Sequence, residues 1–258
     1  MKLFLSIILV FSFAGFSAQA QKPKVFKSDT VTTASGLKYI ITKKGKGRKA
    51  KQNEVVIAHY TGTLLDGSTF DSSRERNEPF AFTLGKKQVI KGWDEGFALL
   101  KMGDQATLII PANLAYGERE RPKIPANSTL IFDVELVDIK STSVSTLLAN
   151  LIKDKGIGAA IGKFNSLKKQ SFKNYYMSEA DLNRLGYELL NEKKNTEAIE
   201  ILKLNVEEFP ASANVYDSLG EAYMTAGFKE QAITNYKRSL ELDPKNTNAE
   251  EMLKKLAE

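Results

Sequence analysis

The run His59-Tyr60-Thr61-Gly62-Thr63-Leu64-Leu65-Asp66-Gly67-Ser68-Thr69-Phe70-Asp71-Ser72-Ser73-Arg74 decides how the N-terminal half of this chain folds. Residues 55–64 belong to a set of short alternating segments, the signature of a half-buried strand, and Asp66-Gly67 supplies the turn that ends this one. Alternation sends neighbouring side chains to opposite faces. If Tyr60 points inward, the chain's single histidine, His59, points elsewhere and acts as a structural hydrogen-bonding group.

The same short period continues on both sides of this run. Residues 37–42, 80–83, 106–110 and 130–139 are separated by Gly, Pro, Asn and Asp, which predicts an antiparallel β domain. One interruption, residues 89–100, places Ile90, Trp93, Phe97 and Leu100 at spacings of three and four. It predicts a short helix with its apolar stripe on the sheet. Asp94 and Glu95 are adjacent on that helix and diverge, so they read as solvated charges rather than an acid/base pair. After Ser141 the strand signals stop, and Ser141-Thr142-Ser143 reads as a linker.

With no cysteine, Cys-His catalysis is unavailable; the single histidine, read as structural, argues against a Ser-His-Asp set, and no metal cluster has credible ligands. The β half offers instead aromatic residues around a few polar ones, the composition of a preformed apolar pocket.

Two further segments, Val89-Ile90-Lys91-Gly92-Trp93 and Leu114-Ala115-Tyr116-Gly117, follow the first run. In order and spacing the three resemble the FKBP-type peptidyl-prolyl isomerases, from about Gly36 to Lys140. The resemblance implies an antiparallel half-barrel sheet wrapped on a short helix, and prolyl isomerisation without a cofactor. Rotation about an X–Pro bond needs no nucleophile; its barrier of roughly 18–20 kcal/mol is lost amide resonance, and a dry site that favours the less dipolar, twisted amide would lower it. It also implies catalytic positions at Tyr60, Asp71, Trp93, Tyr116 and Phe132, with substrate-binding positions at Phe70, Arg76, Phe80, Phe82, Val89, Ile90, Ala115 and Ile124. Trp93 would floor the pocket under a proline ring, with Tyr60, Phe70, Phe80 and Phe132 as walls and Asp71 on the polar side. The Ile90 N–H and the Tyr116 hydroxyl would hold substrate carbonyls. The loop Glu118-Arg119-Glu120-Arg121-Pro122-Lys123 departs from the family pattern, being densely charged and one residue shorter where members carry small residues and a histidine. Macrolide binding is also implied, and that loop bears on it.

Beyond residue 141 the chain repeats itself. Leu182, Leu185-Gly186, Leu189, Ala198, Leu202 and Pro210 recur as Tyr216, Leu219-Gly220, Tyr223, Ala232, Tyr236 and Pro244, each 34 positions on. The small residues let two antiparallel helices approach while the larger ones fill the seam, a pattern that resembles tetratricopeptide repeats. Ala249, Met252, Leu253 and Leu256 form the stripe of a capping helix, and two helical segments around Gly156 read as a degenerate first repeat. In large eukaryotic isomerases of the family, similar repeats hold acidic chaperone tails through Lys and Asn. Asn183, Tyr187, Asp217 and Glu221 occupy the corresponding faces here and make no positive clamp.

Lys2, an apolar run over residues 3–16, and the small residues Ala18 and Ala20 read as a secretory signal cut after Ala20. The run is shorter than the ~20 residues of a spanning helix. These features predict an exported protein, periplasmic in a Gram-negative bacterium or secreted, with no membrane insertion after cleavage. Cleavage removes Lys2 and lowers the net charge from +6 to +5. Lys43, Lys44, Lys46, Arg48, Lys49 and Lys51 crowd one turn, but without interleaved aromatics they read as a solvated loop, and no nucleic-acid partner is expected.

The expected fold is α+β, an FKBP-like half-barrel followed by an all-α solenoid of helical hairpins. Its divisions are a signal segment 1–20, an N-terminal segment 21–35, the isomerase domain 36–140, a linker and degenerate repeat 141–178, repeats 179–212 and 213–246, and a capping helix 247–258. The expected function is isomerisation of proline-containing unfolded or nascent exported polypeptides, with a protein partner on the repeats. The competing reading is a non-catalytic peptide-binding or chaperone scaffold.

Overall fold

The computed structural model describes residues 29–257; the signal segment expected over residues 1–20 lies outside them. The first half contains β1 (Val31–Thr32), β2 (Lys38–Lys43), β3 (Val55–Thr63), β4 (Thr69–Ser72), β5 (Phe80–Thr83), α1 (Lys91–Leu99), β6 (Gln105–Ile110), a 3-10 turn at Ala112–Leu114 and β7 (Leu130–Lys140). Seven strands form one antiparallel sheet in the order β1-β2-β6-β7-β3-β4, with β5 also paired to β3. One edge of β3 runs along β7, while the other is shared, β5 taking residues 55–58 and β4 residues 61–63. Residues 59 and 60 lie between the two partners, and there the Ser73 N–H donates to the Tyr60 carbonyl at 3.1 Å.

α1 lies in the concave face because its own sequence lets it come close. An added Cβ on Gly92 would meet Ile110 at 2.4 Å, and one on Gly96 would meet Leu108 at 2.8 Å. Each glycine is followed by an aromatic residue, Trp93 and Phe97, that turns into a core shared with Leu108, Ile110, Phe132, Val134 and Leu136. The helix is shorter than residues 89–100. Ile90 stays extended before the first turn, with ψ 150°, and Leu100 is extended again.

The second half is helical, apart from a small parallel pair, β8 (Thr142–Ser143) with β9 (Tyr175–Tyr176). Its helices are α2 (Val144–Lys155), α3 (Ile157–Lys168), α4 (Glu179–Asn191), α5 (Asn195–Glu208), α6 (Ala213–Thr225), α7 (Lys229–Leu242) and α8 (Thr247–Ala257). Gly186 faces Leu202, and Gly220 faces Tyr236, whose ring an added Cβ would meet at 3.0 Å. The small-against-large seam is therefore the same in both repeats.

Residues 141–143, expected as a linker, are tied down. The Ser141 N–H donates to the Asn174 carbonyl at 3.0 Å, and Lys140 Nζ donates to the Lys173 carbonyl at 2.9 Å. Ser143 caps α2 through its hydroxyl, which accepts from the Thr146 N–H at 3.1 Å. Two serines and a threonine look like a flexible tether in sequence, but here they pair with residues 175–176 and satisfy the backbone at the start of α2. Among the described residues no helix is long and apolar enough to cross a membrane.

Candidate active site

Register places the site. On β3, Ala58, Tyr60 and Gly62 share a face. Gly62 stands opposite Phe132 of β7 and Asp71 of β4, and Ala58 stands opposite Phe80 of β5. Gly62 is required there, since an added Cβ would sit 2.5 Å from the Phe70 ring and 2.9 Å from Phe132. α1 contributes Trp93 from below, and the segment after the 3-10 turn contributes Tyr116.

These side chains enclose a cavity of about 260 Å³ lined by Tyr60, Phe70, Asp71, Phe80, Gln88, Val89, Ile90, Trp93, Tyr116 and Phe132. The Trp93 indole lies at its base, only 4% exposed. Tyr60 and Phe132 meet the indole nearly perpendicular, at 5.0 Å and 5.2 Å between centroids. Phe70 meets Phe132 at 5.5 Å in the same way. Edge-to-face contacts of this kind lock each ring by the ones beside it. Trp93 Nε1 is buried without an acceptor among the described residues; natural proteins keep few such donors.

The polar side is a closed set of three. The Tyr60 hydroxyl donates to Asp71 Oδ2 in a short bond. Arg76 donates to Asp71 Oδ1 at 2.6 Å and to the Tyr60 hydroxyl at 3.1 Å. Burial, then the bond to Asp71, pushes the Tyr60 hydroxyl above its ordinary pKa. Burial alone would raise Asp71, but the hydrogen bonds from Tyr60 and Arg76 outweigh it and hold the carboxyl below its usual range. Near neutral pH one group keeps its proton and the other stays ionised. Neither matches a general acid or base, whose pKa lies near the working pH.

Four of the residues singled out by sequence do not line the cavity. Phe82 is 3% exposed and packs beneath the floor, 5.7 Å from Trp93 and 5.4 Å from Phe97. Ala115 and Ile124 pack into the same core. Arg76 stands outside the wall and acts on it through Asp71 and Tyr60. Sequence reasoning missed Gln88, which belongs to no motif. Its side-chain oxygen accepts from the Thr83 N–H at 2.7 Å, fastening the rim to β5.

Asp94, read as a solvated charge, has a task. It accepts from the N–H groups of Gly85 at 2.9 Å and Lys87 at 3.2 Å, holding the turn that leads into Val89 and Ile90. Glu95 accepts from the Ser35 hydroxyl at 2.6 Å. His59 Nδ1 lies 3.1 Å from the Ser73 hydroxyl, behind the sheet face that carries Tyr60. Ser73 also accepts from the Tyr60 N–H at 2.8 Å, so His59 helps to fix the strand rather than the cavity. In the charged loop, Arg121 stacks over the Tyr116 ring at 5.4 Å.

Comparison with known proteins gives this geometry its class. Residues 46–137 match the family model described as FKBP-type peptidyl-prolyl cis-trans isomerase, and residues 213–246 match a tetratricopeptide repeat. The chain belongs to the FKBP-type isomerase family. It is 57% identical over 91 residues to peptidyl-prolyl cis-trans isomerase Fkbp12 of Drosophila melanogaster, covering 35% of this chain and 84% of that protein. It is 46% identical over 120 residues to the FKBP-type isomerase FkpA of Buchnera aphidicola, covering 46% of this chain and 47% of the relative. The crystal structure of FkpA from Escherichia coli is 46% identical, covering 44% of this chain and 53% of that one, with a TM-score of 0.42. The chain thus spans less than half the length of the curated Buchnera relative.

Proposed function

We propose that the chain is an exported peptidyl-prolyl cis-trans isomerase that assists protein folding, with a helical module that holds a protein partner. The division into an isomerase domain, residues 36–140, and a helical module beyond it is part of this reading. The observation that carries it is the aromatic-lined cavity over Trp93. A proline ring seats on the indole between Tyr60, Phe70, Phe80 and Phe132, with Val89 at the rim. The preceding carbonyl leaves its hydration shell, and water no longer stabilises the planar, more dipolar amide. Ile90, extended before the first turn of α1, offers its N–H to one substrate carbonyl, and among the described residues that N–H has no acceptor. Tyr116 offers its hydroxyl to another. The Tyr60–Asp71–Arg76 set moves no proton; it keeps the Tyr60 ring upright and places a fixed negative charge beside the turning carbonyl carbon.

Export rests on the sequence of residues 1–20, and the substrates would be unfolded or nascent exported polypeptides containing proline. The test is two-dimensional NMR exchange on a short X–Pro peptide with the full chain. Faster cis/trans exchange supports the enzyme. An unchanged rate with a bound peptide would support the competing reading, a non-catalytic scaffold.

A further inference from the structure

The helices α4, α6 and α8 line up on one face of the helical module, linked from unit to unit by side-chain hydrogen bonds. Asn214 Nδ2 donates to Glu179 Oε1 at 2.9 Å, and the Tyr187 hydroxyl donates to Glu221 Oε2 at 2.7 Å. Asn246 and Asn248 each donate to Asp217, both at 2.9 Å. Asp217 and Glu221 lie one turn apart on α6 and are only partly exposed. Every partner named for these carboxylates is neutral, and among the described residues none of the three forms a salt bridge. Elsewhere in the same module acids are matched by cations, as in Lys168 with Glu207 and Glu208, Arg184 with Asp181 and Glu188, and Arg238 with Glu241. In a chain with formal net charge +6, this face is left with uncompensated negative charge.

A second feature is independent of the carboxylates. Tyr236 of α7 is 0% exposed, and its hydroxyl has no partner among the described residues. Its ring passes over Gly220, and its hydroxyl feels the charges of Glu221 and Asp217 and the hydroxyl of Tyr187, so it is aimed at this face. Asn183 Oδ1, one turn before Tyr187 on α4, is a second buried acceptor without a donor. Burial first, then Glu221 and Asp217, pushes the Tyr187 hydroxyl up to about 12, against the opposing bond to Ser218. A buried polar group left unpaired costs ~1–3 kcal/mol, and a bound donor would relieve it.

The geometry points to a binding site for a lysine-bearing extended polypeptide on the α4–α6–α8 face. An ammonium group is a compact charge with three donors and no acceptor, the complement of a face that holds carboxylates and unpaired acceptors. The acidic tails bound by positive clamps on similar repeats would be repelled. The inference rests on the reading of the helical module as a partner-binding element and names the partner's chemistry.

The experiment uses the full chain and two fluorescent, proline-free octapeptides, one alternating Lys with Ala or Ser, the other carrying Glu in place of Lys. The lysine peptide is expected to bind, the glutamate peptide not to bind, and the lysine affinity to fall as salt rises. The double variant Asp217→Asn, Glu221→Gln keeps size and removes both charges, at the loss of one of the two acceptors that Asn246 and Asn248 use at position 217; it should weaken lysine-peptide binding at least tenfold with helical circular dichroism unchanged. Tyr236→Phe removes only the unpaired hydroxyl and should weaken binding without lowering the melting temperature. Equal affinity for both peptides, or undiminished binding by the folded double variant, overturns the proposal. Preference for the glutamate peptide overturns the chemistry while partner binding stands, and binding of neither overturns both. Exchange on a short X–Pro peptide in the same samples reports separately on the catalytic reading.

Discussion

Both halves of the molecule place tyrosines beside carboxylates, and they treat the charge in opposite ways. Around the cavity, Asp71 is bound by the Tyr60 hydroxyl and by Arg76, which forms an ion pair with it at 2.6 Å. That charge is answered within the protein, and the space beside it is lined mainly by rings. On the helical face, Glu221 takes the Tyr187 hydroxyl in the same manner, but no cation follows. A pocket whose charge is already paired selects by shape and desolvation, so a neutral proline ring fits it. A face whose charge is left open selects by sign. The same residue types thus build an apolar site in one half and an electrostatic site in the other, and the counter-ion makes the difference.

The comparison breaks first at the cavity floor. Trp93→Ala should lower kcat/KM on a prolyl peptide by tenfold or more, since an apolar contact of that size contributes ~1.5–3 kcal/mol. Wild-type activity in the folded variant would move the active site elsewhere. Next in size is Gly220→Leu, which drives a branched side chain into the Tyr236 ring. Overpacking costs ~1–3 kcal/mol, and in a short array shared between neighbours it should melt the repeats. Helical circular dichroism and lysine-peptide binding should fall while turnover of a short prolyl peptide holds, because every residue lining the cavity precedes residue 141. If turnover falls in step with helicity, the pairing of residues 141–143 with 174–176 couples the halves more tightly than this account allows.

Tyr116→Phe removes one hydroxyl and should cost ~0.5–1.5 kcal/mol in transition-state binding, the range of an ordinary hydrogen bond, read as a fall in kcat/KM at unchanged stability. The smallest effect belongs to Arg76→Gln. Its ion pair with Asp71 is about half exposed on both sides, so the loss of stability should be ~0.2–1 kcal/mol. The sign follows from Asp71, whose folded pKa is depressed. Its contribution is present above the unfolded carboxylate value of ~3.9 and is lost as pH falls through the lower folded value. Carboxyl-detected NMR should show the Asp71 titration moving upward in the variant, and the acid loss of stability should shrink.

Much of this was legible in sequence, for identifiable reasons. Alternation located β2, β3, β5, β6 and β7 because each buries one face or both, and the 34-residue offset located α4 to α7 because small residues must face large ones across each seam. β4 escaped, since Thr69-Phe70-Asp71-Ser72 carries a single apolar residue and its partner is fixed by the Asp66-Gly67 turn rather than by its own pattern. The helix was placed two residues early because the stripe through Ile90 fits helical spacing, whereas the extended backbone there serves the rim. The aromatic lining was readable from the family pattern. The Tyr60–Asp71–Arg76 set, the Gln88 fastening and the Asp94 clamp were not, because each joins residues whose separation in sequence says nothing about hydrogen-bond geometry. The open acidic face was half visible: the acids were noted as failing to make a positive clamp, but the unpaired Tyr236 hydroxyl needed coordinates.

The most direct test of the central claim, that desolvation over the Trp93 floor rather than proton transfer turns the prolyl bond, is the pH dependence of exchange. NMR exchange rates of one short X–Pro peptide should be measured with the full chain from about pH 6 to about pH 9, between the shifted Asp71 and Tyr60 titrations and clear of the ordinary carboxyl and phenol values. The expected result is acceleration that stays flat across the range and collapses in folded Trp93→Ala. A bell-shaped or sigmoidal profile centred in that window, or full activity without the indole, would contradict it.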